Sequence, residues 1–580
     1  MGCDNAATDP AGSPFEFSLR APGADAVFLE GTFNAWAPRD PKWALSPAAD
    51  SVQWSLSAPD LPSQFTYHYA VYAQGRMDRV QDPRGAGAAD VRLAPFQTRV
   101  DRSYTRPLPL SHPMDVTGLV IYEVMVSDFS DAGTFAEIEA SLDAAPASLV
   151  ELGINAIELM PVHPVPGDFS WGYDTGSFFS VEPGYGGLDG LRDLVDACHE
   201  RGIAVILDIV LNHVGGHHPI RRIEQVTGIP YFFDPSKTNP FGLPEFDWTH
   251  PEVIDYFTSA LRHFILELGI DGFRYDYVSG EPYENWAQVV LPLKAEFPHV
   301  LHIAEDFSDL GGGLDPEVGF DAQWGGQSSS YGGRVNRYFQ RLNVNLAEKA
   351  YVDRYGGVIG DFNVASSPML ATADVTTFHP SRGPWRDIKN LESHDERRLI
   401  EQVESSGSAG ARRVGGKQKS RLGALSLFTS VGIPMLYHGQ EIGVGNPITP
   451  TPSPSPIDWV GADLELREFY RHLIHLRLQE PALRSEAIEF IWEAGHAPSA
   501  PDEARRTLQY VRGDPGEQVL VALNFDHDAH QIELSFPVGT EEWIRFDPLT
   551  GSREHSVAVP ADGRLNITLP ASSGQIYLQP

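Results

Sequence analysis

The sequence predicts an α/β fold in which a (β/α)8 barrel is flanked by a β-sandwich domain on each side. Three observations support this. Between about residues 114 and 483, apolar strands alternate with amphipathic helices. Residues 14–105 and 484–580 instead show short strands separated by turn residues. The chain has 580 residues, 42% of them hydrophobic, which is enough for two to four domains.

The N-terminal region, residues 14–105, contains the segments "FEFSLRAP", "AVFLEGTF", "VQWSLSAP" and "FTYHYAVYA". Their alternation of apolar and polar residues, punctuated by Gly, Pro and Asp, is typical of a β-sandwich. We expect residues 1–13 to be disordered. The proline-rich segment "RPLPLSHP" at 106–113 joins this domain to the next one.

The central region, residues 114–483, predicts the barrel, with a short insertion at about 214–250. Its strands are nearly continuous apolar runs, as in a parallel sheet that is covered on both faces. The amount of repeated βα pattern suits eight units. A doubly wound open sheet is the alternative, but no glycine-rich phosphate loop follows the first strand. Residues 484–580 predict a C-terminal β-sandwich.

The charge of the chain narrows the choice of partner. Its 43 basic and 78 acidic residues give a net charge of −35, which repels polyanions and makes nucleic acid an unsuitable partner. A neutral substrate is compatible with this charge. No apolar run reaches 18 residues, so we expect no transmembrane segment. The oligomeric state stays open.

The two cysteines support different predictions. Cys198 lies in a helical pattern and reads as a buried thiol. Cys3, in "MGCDN", resembles the end of a bacterial lipoprotein signal without its hydrophobic region. If a leader has been removed, the protein is exported and lipid-anchored through Cys3, and otherwise it is cytoplasmic.

The segment "GFRYDYV" places a charged pair inside an apolar strand. Side chains alternate faces along a strand, so Arg274 and Asp276 point one way while Phe273 and Tyr275 point the other. A charged pair on an inner face is costly unless it is paired or has a function. A structural ion pair is the simpler interpretation of this segment alone.

Further polar residues follow the other predicted barrel strands. Because functional groups in such barrels lie at the C-terminal strand ends, we expect these residues to share one rim. They are Trp171, Tyr173 and Asp174 after the second strand, Asp208, Asn212 and His213 after the third, Glu305 and Asp306 after the fifth, and Glu392, His394, Asp395 and Glu396 after the seventh.

Two chemistries fit such a rim. One is a divalent metal held by carboxylates and histidines, although the histidines here are single and on separate strands. The other is glycoside cleavage by a carboxylate pair. Arg274 would keep Asp276 ionised, as a nucleophile requires. Burial and nearby negative charge would raise the pKa of Glu305, which suits a general acid.

The motifs "DIVLNH", "GFRYDYV", "IAED" and "SHD" resemble, in order and spacing, those of glycoside hydrolase family 13, the α-amylase family. "MPVHP" and "WGYDTGSFFSVEPGYG" extend the likeness, and "VFLEGTFNAW" resembles a carbohydrate-binding module of family 48. The resemblance covers nearly the whole chain. It implies a TIM barrel and a retaining α-glucan hydrolase that cleaves α-1,4 bonds in starch, glycogen or maltooligosaccharides, with possible transglycosylation.

The resemblance also implies a role for each matching residue. Asp276 is expected to be the nucleophile, Glu305 the general acid/base and Asp395 the third carboxylate that grips sugar hydroxyls. The expected substrate-binding residues are Trp171, Tyr173, Asp208, His213, Arg274 and His394. Asp208 is expected to be a strand-end support and Tyr173 a platform under the sugar, while Trp324 is interpreted as packing.

No cofactor is expected, although Asn212 matches a calcium-ligand position in many α-amylases. The serine in "SHDE" resembles glycogen branching enzymes, whereas "DIVLNH" resembles hydrolases. The alternatives are therefore a branching-type transferase, a hydrolase of 1,6 bonds and a maltooligosyltrehalose hydrolase. A catalytically inactive glucan-binding protein is the alternative from another class.

Overall fold

A computed structural model provides the structure of the chain. It describes residues 14–59, 61–85, 98–101, 107–110, 114–165, 171–239, 242–306, 312–324, 386–395, 398–406, 409–445, 455–491, 507–537, 539 and 542–580. Residues 1–13, which include Cys3 and the segment predicted to be disordered, lie outside this set. No helix in the described ranges is long and apolar enough to cross a membrane.

The N-terminal region forms two antiparallel sheets. Its strands are β1 (Phe15–Arg20), β2 (Ala26–Gly31), β3 (Ser46–Pro47), β4 (Gln53–Ala58), β5 (Gln64–Ala73), β6 (Arg76–Val80) and β7 (Thr98–Asp101). One sheet has the order β1-β4-β3, and in the other β5 pairs with β2, β6 and β7. Alternate residues such as Phe17, Leu19 and Val27 are buried between them, as expected for a sandwich.

Eight parallel strands close into a barrel, so the predicted fold class is confirmed. In chain order they are β8 (Ile121–Val124), β9 (Ala156–Leu159), β10 (Ala204–Ile209), β13 (Gly272–Tyr275), β14 (Leu301–Glu305), β15 (Ala322–Trp324), β16 (Asp387–Lys389) and β17 (Ile433–Tyr437). Each pairs with the next and β17 pairs with β8. The connection after β10 carries a small two-stranded sheet of β11 (Phe233–Thr238) and β12 (Pro244–Phe246).

Helices cover the outside of the barrel. They are α1 (Val126–Phe129), α2 (Phe135–Ala140), α3 (Leu149–Leu152), α4 (Gly187–Glu200), α5 (Pro219–Thr227), α6 (Pro251–Leu268), α7 (Tyr283–Glu296), α8 (Leu399–Ser406), α9 (Ala409–Val414), α10 (Gly416–Thr429), α11 (Leu464–Gln479) and α12 (Pro481–Arg484). Short 3-10 helices occupy Thr32–Asn34, Pro41–Trp43, Val116–Gly118, Pro183–Tyr185, Val278–Gly280, Gly312–Leu314 and Gln440–Ile442. Cys198 is buried in α4, as predicted.

Side chains of each barrel strand alternate between the interior and the helix layer. Ile121, Ile206 and Ile303 belong to an apolar cluster that fills the barrel. Phe273 and Tyr275 belong to the large cluster that includes the helices. Their burial contributes about 1.5–3 kcal/mol for each large apolar side chain. Arg274 and Asp276 therefore face inward, as the period of two predicts.

The C-terminal region is again antiparallel. Its strands are β18 (Ile488–Ile491), β19 (Thr507–Arg512), β20 (Val519–Asn524), β21 (His530–Ser535), β22 (Glu542–Asp547), β23 (Ser552–Ala558), β24 (Arg564–Leu569) and β25 (Ser573–Leu578). Six of them form one sheet, and β21 pairs with β24 in a second one. Trp543 and Leu534 are buried in a cluster of their own.

Candidate active site

Arg274, on β13, lies at the centre of the candidate site. Its side chain has no exposed surface, and its guanidinium lies 4.3 Å from the ring centroid of Trp324. Arg274 is the register partner of Asp208 on the neighbouring strand β10. The strand pairing therefore fixes a guanidinium beside a carboxylate inside the barrel.

Three carboxylates surround this guanidinium. Its Nη1 donates to Asp208 Oδ1 and to Asp276 Oδ1, both at 3.0 Å. Its Nη2 lies 2.8 Å from Glu305 Oε1, an ion-pair contact without the angle of a hydrogen bond. Arg274 thus contacts both Asp276 and Glu305.

Glu305 ends β14 and is almost completely enclosed, with 4% of its side chain exposed. The backbone N–H of Tyr277 donates to its Oε2 at 2.8 Å. Burial is the main cause that raises the pKa of Glu305 well above its usual range, and the charges of Asp276 and Asp395 act in the same direction against Arg274. A carboxyl that keeps its proton at neutral pH can serve as a general acid.

Asp276 follows β13 and is more open, with 14% of its side chain exposed. Besides Arg274, it accepts a 3.3 Å hydrogen bond at Oδ2 from the amide of Asn212. Donors therefore reach both oxygens of Asp276. The two carboxyl groups therefore differ in the way that acid and nucleophile need, since one is desolvated and the other is held by donors and reachable.

A chain of hydrogen bonds crosses the barrel mouth from Asp208 to Glu123. The hydroxyl of Tyr173 donates to Asp208 Oδ2 at 2.6 Å. His394 Nε2 donates to the same hydroxyl at 2.7 Å, and its Nδ1 donates to Glu123 Oε1 at 2.5 Å. Asp208 is buried and supports Arg274 at the strand end. Burial raises its pKa to about 6, with Arg274 opposing the shift and Asp276 adding to it.

Both ring nitrogens of His394 act as donors in this chain. Burial by itself lowers the pKa of His394, but the charges of Asp395 and Glu123 outweigh it and raise the pKa to about 10. His394 is therefore an imidazolium at neutral pH. The Tyr173 ring stacks on it at 5.3 Å, and Trp171 meets it edge-on at 6.1 Å.

Asp395 is the most open of the three predicted catalytic carboxylates, with 37% of its side chain exposed. Its Oδ1 lies 3.7 Å from His394 Nε2. Half-buried Trp171 and Tyr173 flank the same opening and pack against Met125, Met160 and Tyr437. An exposed carboxylate beside apolar rings is a suitable surface for a sugar, which offers both hydroxyls and apolar C–H faces.

His213 differs from the free donor that the resemblance implies. Its Nε2 donates to the backbone carbonyl of Tyr173 at 2.8 Å, and its Nδ1 contacts Asn212 Oδ1. The ring therefore links the loop after β9 to the loop after β10. Its role toward a sugar stays a prediction.

The side chain of Asn212 is engaged by its neighbours, and the calcium requirement stays a prediction. Calcium prefers six to eight oxygen ligands, yet the Asn212 amide donates to the carbonyl and carboxylate of Asp276, and Asn212 Oδ1 faces His213. Within the described residues, no group of three or more His, Cys, Asp or Glu is arranged to hold a metal.

Two acidic residues of the predicted rim have structural partners. Asp306 Oδ2 accepts a hydrogen bond from the hydroxyl of Tyr283 at 2.8 Å. Glu392 pairs with Arg398 at 3.1 Å and accepts the N–H of Leu399 at the start of α8. These contacts hold the strand ends against the helix layer. Glu396 lies outside the described residues.

Sequence reasoning missed three residues of the site. Glu123 and Glu158 are single glutamates inside the apolar segments "VIYEVMV" and "AIELMPV", without the neighbouring opposite charge that singled out Arg274. Tyr277 has a left-handed backbone, with φ of 48°, and this geometry aims its N–H at Glu305. No sequence signal identifies a tyrosine in that conformation, which is uncommon outside glycine.

The fold and site define a parallel barrel with a carboxylate–arginine centre at its mouth, and comparisons with known proteins point to the same class. The family description "Alpha amylase, catalytic domain" matches residues 126–228. A cyclomaltodextrinase from Bacillus sp. is 27% identical over 409 residues, which cover 66% of this chain and 65% of that protein. Neopullulanase 2 from Thermoactinomyces vulgaris is 28% identical over 462 residues, covering 76% and 70%.

A pullulanase from Anoxybacillus sp. LM18-11 shares the fold. Its structure superposes with a TM-score of 0.77 over 100% of this chain and 86% of its own, at 17% identity. The aligned region spans about two thirds of the length of the curated relatives, 65% in the cyclomaltodextrinase. Over the matched regions, the chain is similar to α-amylase-family glycoside hydrolases.

Proposed function

We propose that the chain is a retaining α-glucan hydrolase that cleaves α-1,4-glucosidic bonds, with some transfer to sugar acceptors. The observation that carries this proposal is the contact of one buried guanidinium with both Asp276 and Glu305. The names of the relatives, a cyclomaltodextrinase and a neopullulanase, support α-glucans as the substrate class.

The proposed reaction has two steps. In the first, Asp276 attacks the anomeric carbon while Glu305 donates its proton to the leaving oxygen, which forms a covalent glycosyl-enzyme. In the second, Glu305 takes a proton from water, and that water releases the sugar from Asp276. Two inversions give net retention of the α configuration. A retaining enzyme of this kind needs carboxyl groups about 5–5.5 Å apart.

The residues around the pair have supporting roles in this proposal. Arg274 holds Asp276 in place through the hydrogen bond from its Nη1. Asp395 and the cationic His394 would grip hydroxyls of the reacting sugar, and Tyr173 would lie beneath it. Positive charge on His394 next to Asp395 fixes the carboxylate that faces the cleft. No metal is required for any of these steps.

The test is a product profile on amylose, pullulan, cyclic maltodextrins and maltoheptaose. We expect reducing ends to appear from α-1,4 substrates with the α anomer formed first, as followed by NMR. New 1,6 branches without reducing ends would instead identify a branching-type transferase. Exclusive cleavage of 1,6 bonds or release of trehalose would identify the other two alternatives.

Glu305→Gln, with Asp306→Asn as its matched control, tests the assignment of the acid. Both changes convert a buried carboxyl at the end of β14 to an amide, but Asp306 bonds Tyr283 on the helix side. We expect Glu305→Gln to lose glucan turnover while it still binds maltoheptaose, and Asp306→Asn to keep turnover. Normal turnover by Glu305→Gln would refute the assignment, and wild-type turnover at background would leave glucan binding as the function.

A further inference from the structure

Glu158 lies in the middle of β9 and faces the barrel interior. It is the register partner of Glu123 on β8 and of Ile206 on β10. Its neighbours on the same face of β9, Ala156 and Met160, belong to the apolar cluster below and the cluster of Met125, Trp171 and Tyr173 above. The side chain is completely buried.

Neither carboxyl oxygen of Glu158 has a hydrogen-bond partner among the described residues. The two nearby cations, Arg274 and His394, contact other groups. Arg274 contacts Asp208, Asp276 and Glu305, and His394 donates to Tyr173 and Glu123. Glu158 is therefore a buried acid without a donor, on the strand between those of Glu123 and Asp208.

An ionised Glu158 carboxylate would destabilise the folded protein. Burial without a donor costs several kcal/mol for a charged group, and two like charges on the neighbouring strands add to that cost. The neutral acid avoids both costs, because its O–H is a donor and carboxylates beside it are acceptors. Burial first, and then the charges of Glu123 and Asp208, raise the pKa of Glu158 to about 8.

We propose, on the basis of the proposed function, that Glu158 is a positioning residue held as the neutral acid, and that its single O–H donates to one of the carboxylates on the neighbouring strands, Glu123 or Asp208. Arg274 and His394 keep their cationic contacts with the catalytic carboxylates because no further anion competes for them.

Ionisation of Glu158 would disturb these contacts. A new negative charge would pull Arg274 from Asp276 and Glu305, and His394 from Tyr173. The charged or titratable groups that face the same space are Glu123 on β8, Tyr173 after β9, Asp208 on β10, Arg274 and Asp276 at β13, Glu305 on β14, His394 and Asp395 after β16, and Tyr437 on β17.

The direct test is infrared spectroscopy of the full-length Glu305→Gln protein, which removes the other strongly shifted carboxyl of the site. We expect the carbonyl stretch of a protonated carboxyl to persist at neutral pH and to disappear near pH 8, the pKa of Glu158. Adding Glu158→Gln should abolish this band. If Glu305→Gln shows no such band between about pH 7 and 9, the proposal is wrong, whether or not Glu158→Gln folds.

A matched control is Glu441→Gln in the same background. Glu441 is also buried, but it bonds the hydroxyl of Tyr122 at 2.9 Å, and burial raises its pKa only to about 6. The band that disappears near pH 8 should survive this change. Loss of that band would assign it to Glu441 and overturn the proposal. This readout does not depend on glucan turnover, so it stands apart from the proposed function.

Kinetics of Glu158→Gln give the second readout. Above about pH 8, we expect its kcat to exceed the wild-type value several-fold, because the amide cannot ionise. Its KM should change little, since Glu158 has no exposed surface toward the substrate. A kcat profile that matches the wild type at every pH would contradict the predicted role in positioning.

Discussion

Two buried arginines have opposite environments in this molecule. Arg274 in the barrel contacts three carboxylates. Arg512 on β19 is equally buried, but within the described part of the chain it donates to backbone carbonyls alone, those of Thr429, Leu483, Ser485 and Ala487. Carbonyls at helix ends carry partial negative charge, so Arg512 ties the C-terminal domain to α10 and α12.

The difference between the two shows which buried charges serve chemistry. Neutral carbonyls accept the hydrogen bonds of a buried cation, but they can neither attack a substrate nor exchange protons with it. Carboxylates around a cation remain able to attack, bind or exchange protons. Removing groups near Arg274 should therefore change the rate, whereas removing Arg512 should change stability.

Asp276→Asn should give the largest effect of any single change. The amide cannot form the glycosyl-enzyme, so we expect kcat to fall by about 10⁴-fold, as when a nucleophile is removed. Reducing-sugar release from maltoheptaose measures this loss, and thermal unfolding should show the protein still folded. Residual activity within tenfold of wild type would remove Asp276 from the nucleophile role.

Arg512→Met should lower the free energy of unfolding by about 3 kcal/mol, because several buried carbonyls lose their donors. Well below the unfolding transition, kcat on maltoheptaose should stay at the wild-type value. Urea denaturation measures the stability change. A fall in kcat without a loss of stability would show that the two arginines do not differ in the way proposed here.

His394 should make the stability of the barrel mouth depend on pH. Its folded pKa of about 10 exceeds its ordinary value of 6.5, so the stabilisation is complete below pH 6.5 and is lost as pH rises through 10. The stability difference between wild type and His394→Asn should shrink by about 2 kcal/mol from about pH 7.5 to 9. The Arg512→Met difference should show no such trend.

Among these predictions, we expect the smallest change in stability from substitutions at Tyr277 that test its left-handed backbone. Tyr277→Ala and Tyr277→Gly both lose the ring, but only glycine adopts φ of 48° without strain. We expect the glycine variant to be more stable than the alanine variant by about 1 kcal/mol. Equal denaturation midpoints would show that this backbone carries no strain.

The sequence predicts those parts of the site that follow from local pattern. Period-two alternation placed Arg274 and Asp276 inside the barrel and Phe273 and Tyr275 outside it, and the structure confirms that arrangement. The same rule applied to Glu123 and Glu158 would have found them, but a single glutamate in an apolar run lacks the neighbouring opposite charge that drew attention to Arg274.

Other features depend on contacts that no local pattern encodes. Trp324 lies on β15, a three-residue strand too short to give a clear periodic signal, and its place under Arg274 follows from closure of the barrel. The partners of His213 come from the loop after β9 and from its own neighbour Asn212. Such contacts arise only when separate strands meet.

The hydrogen bond between His394 and Glu123 joins residues that are 271 positions apart. This hydrogen bond cannot form until the first and the seventh strand have both joined the barrel. Folding that relies on such distant contacts is slow. Recovery of catalytic activity during refolding would therefore report closure of the barrel, after the individual βα units have already regained their helices.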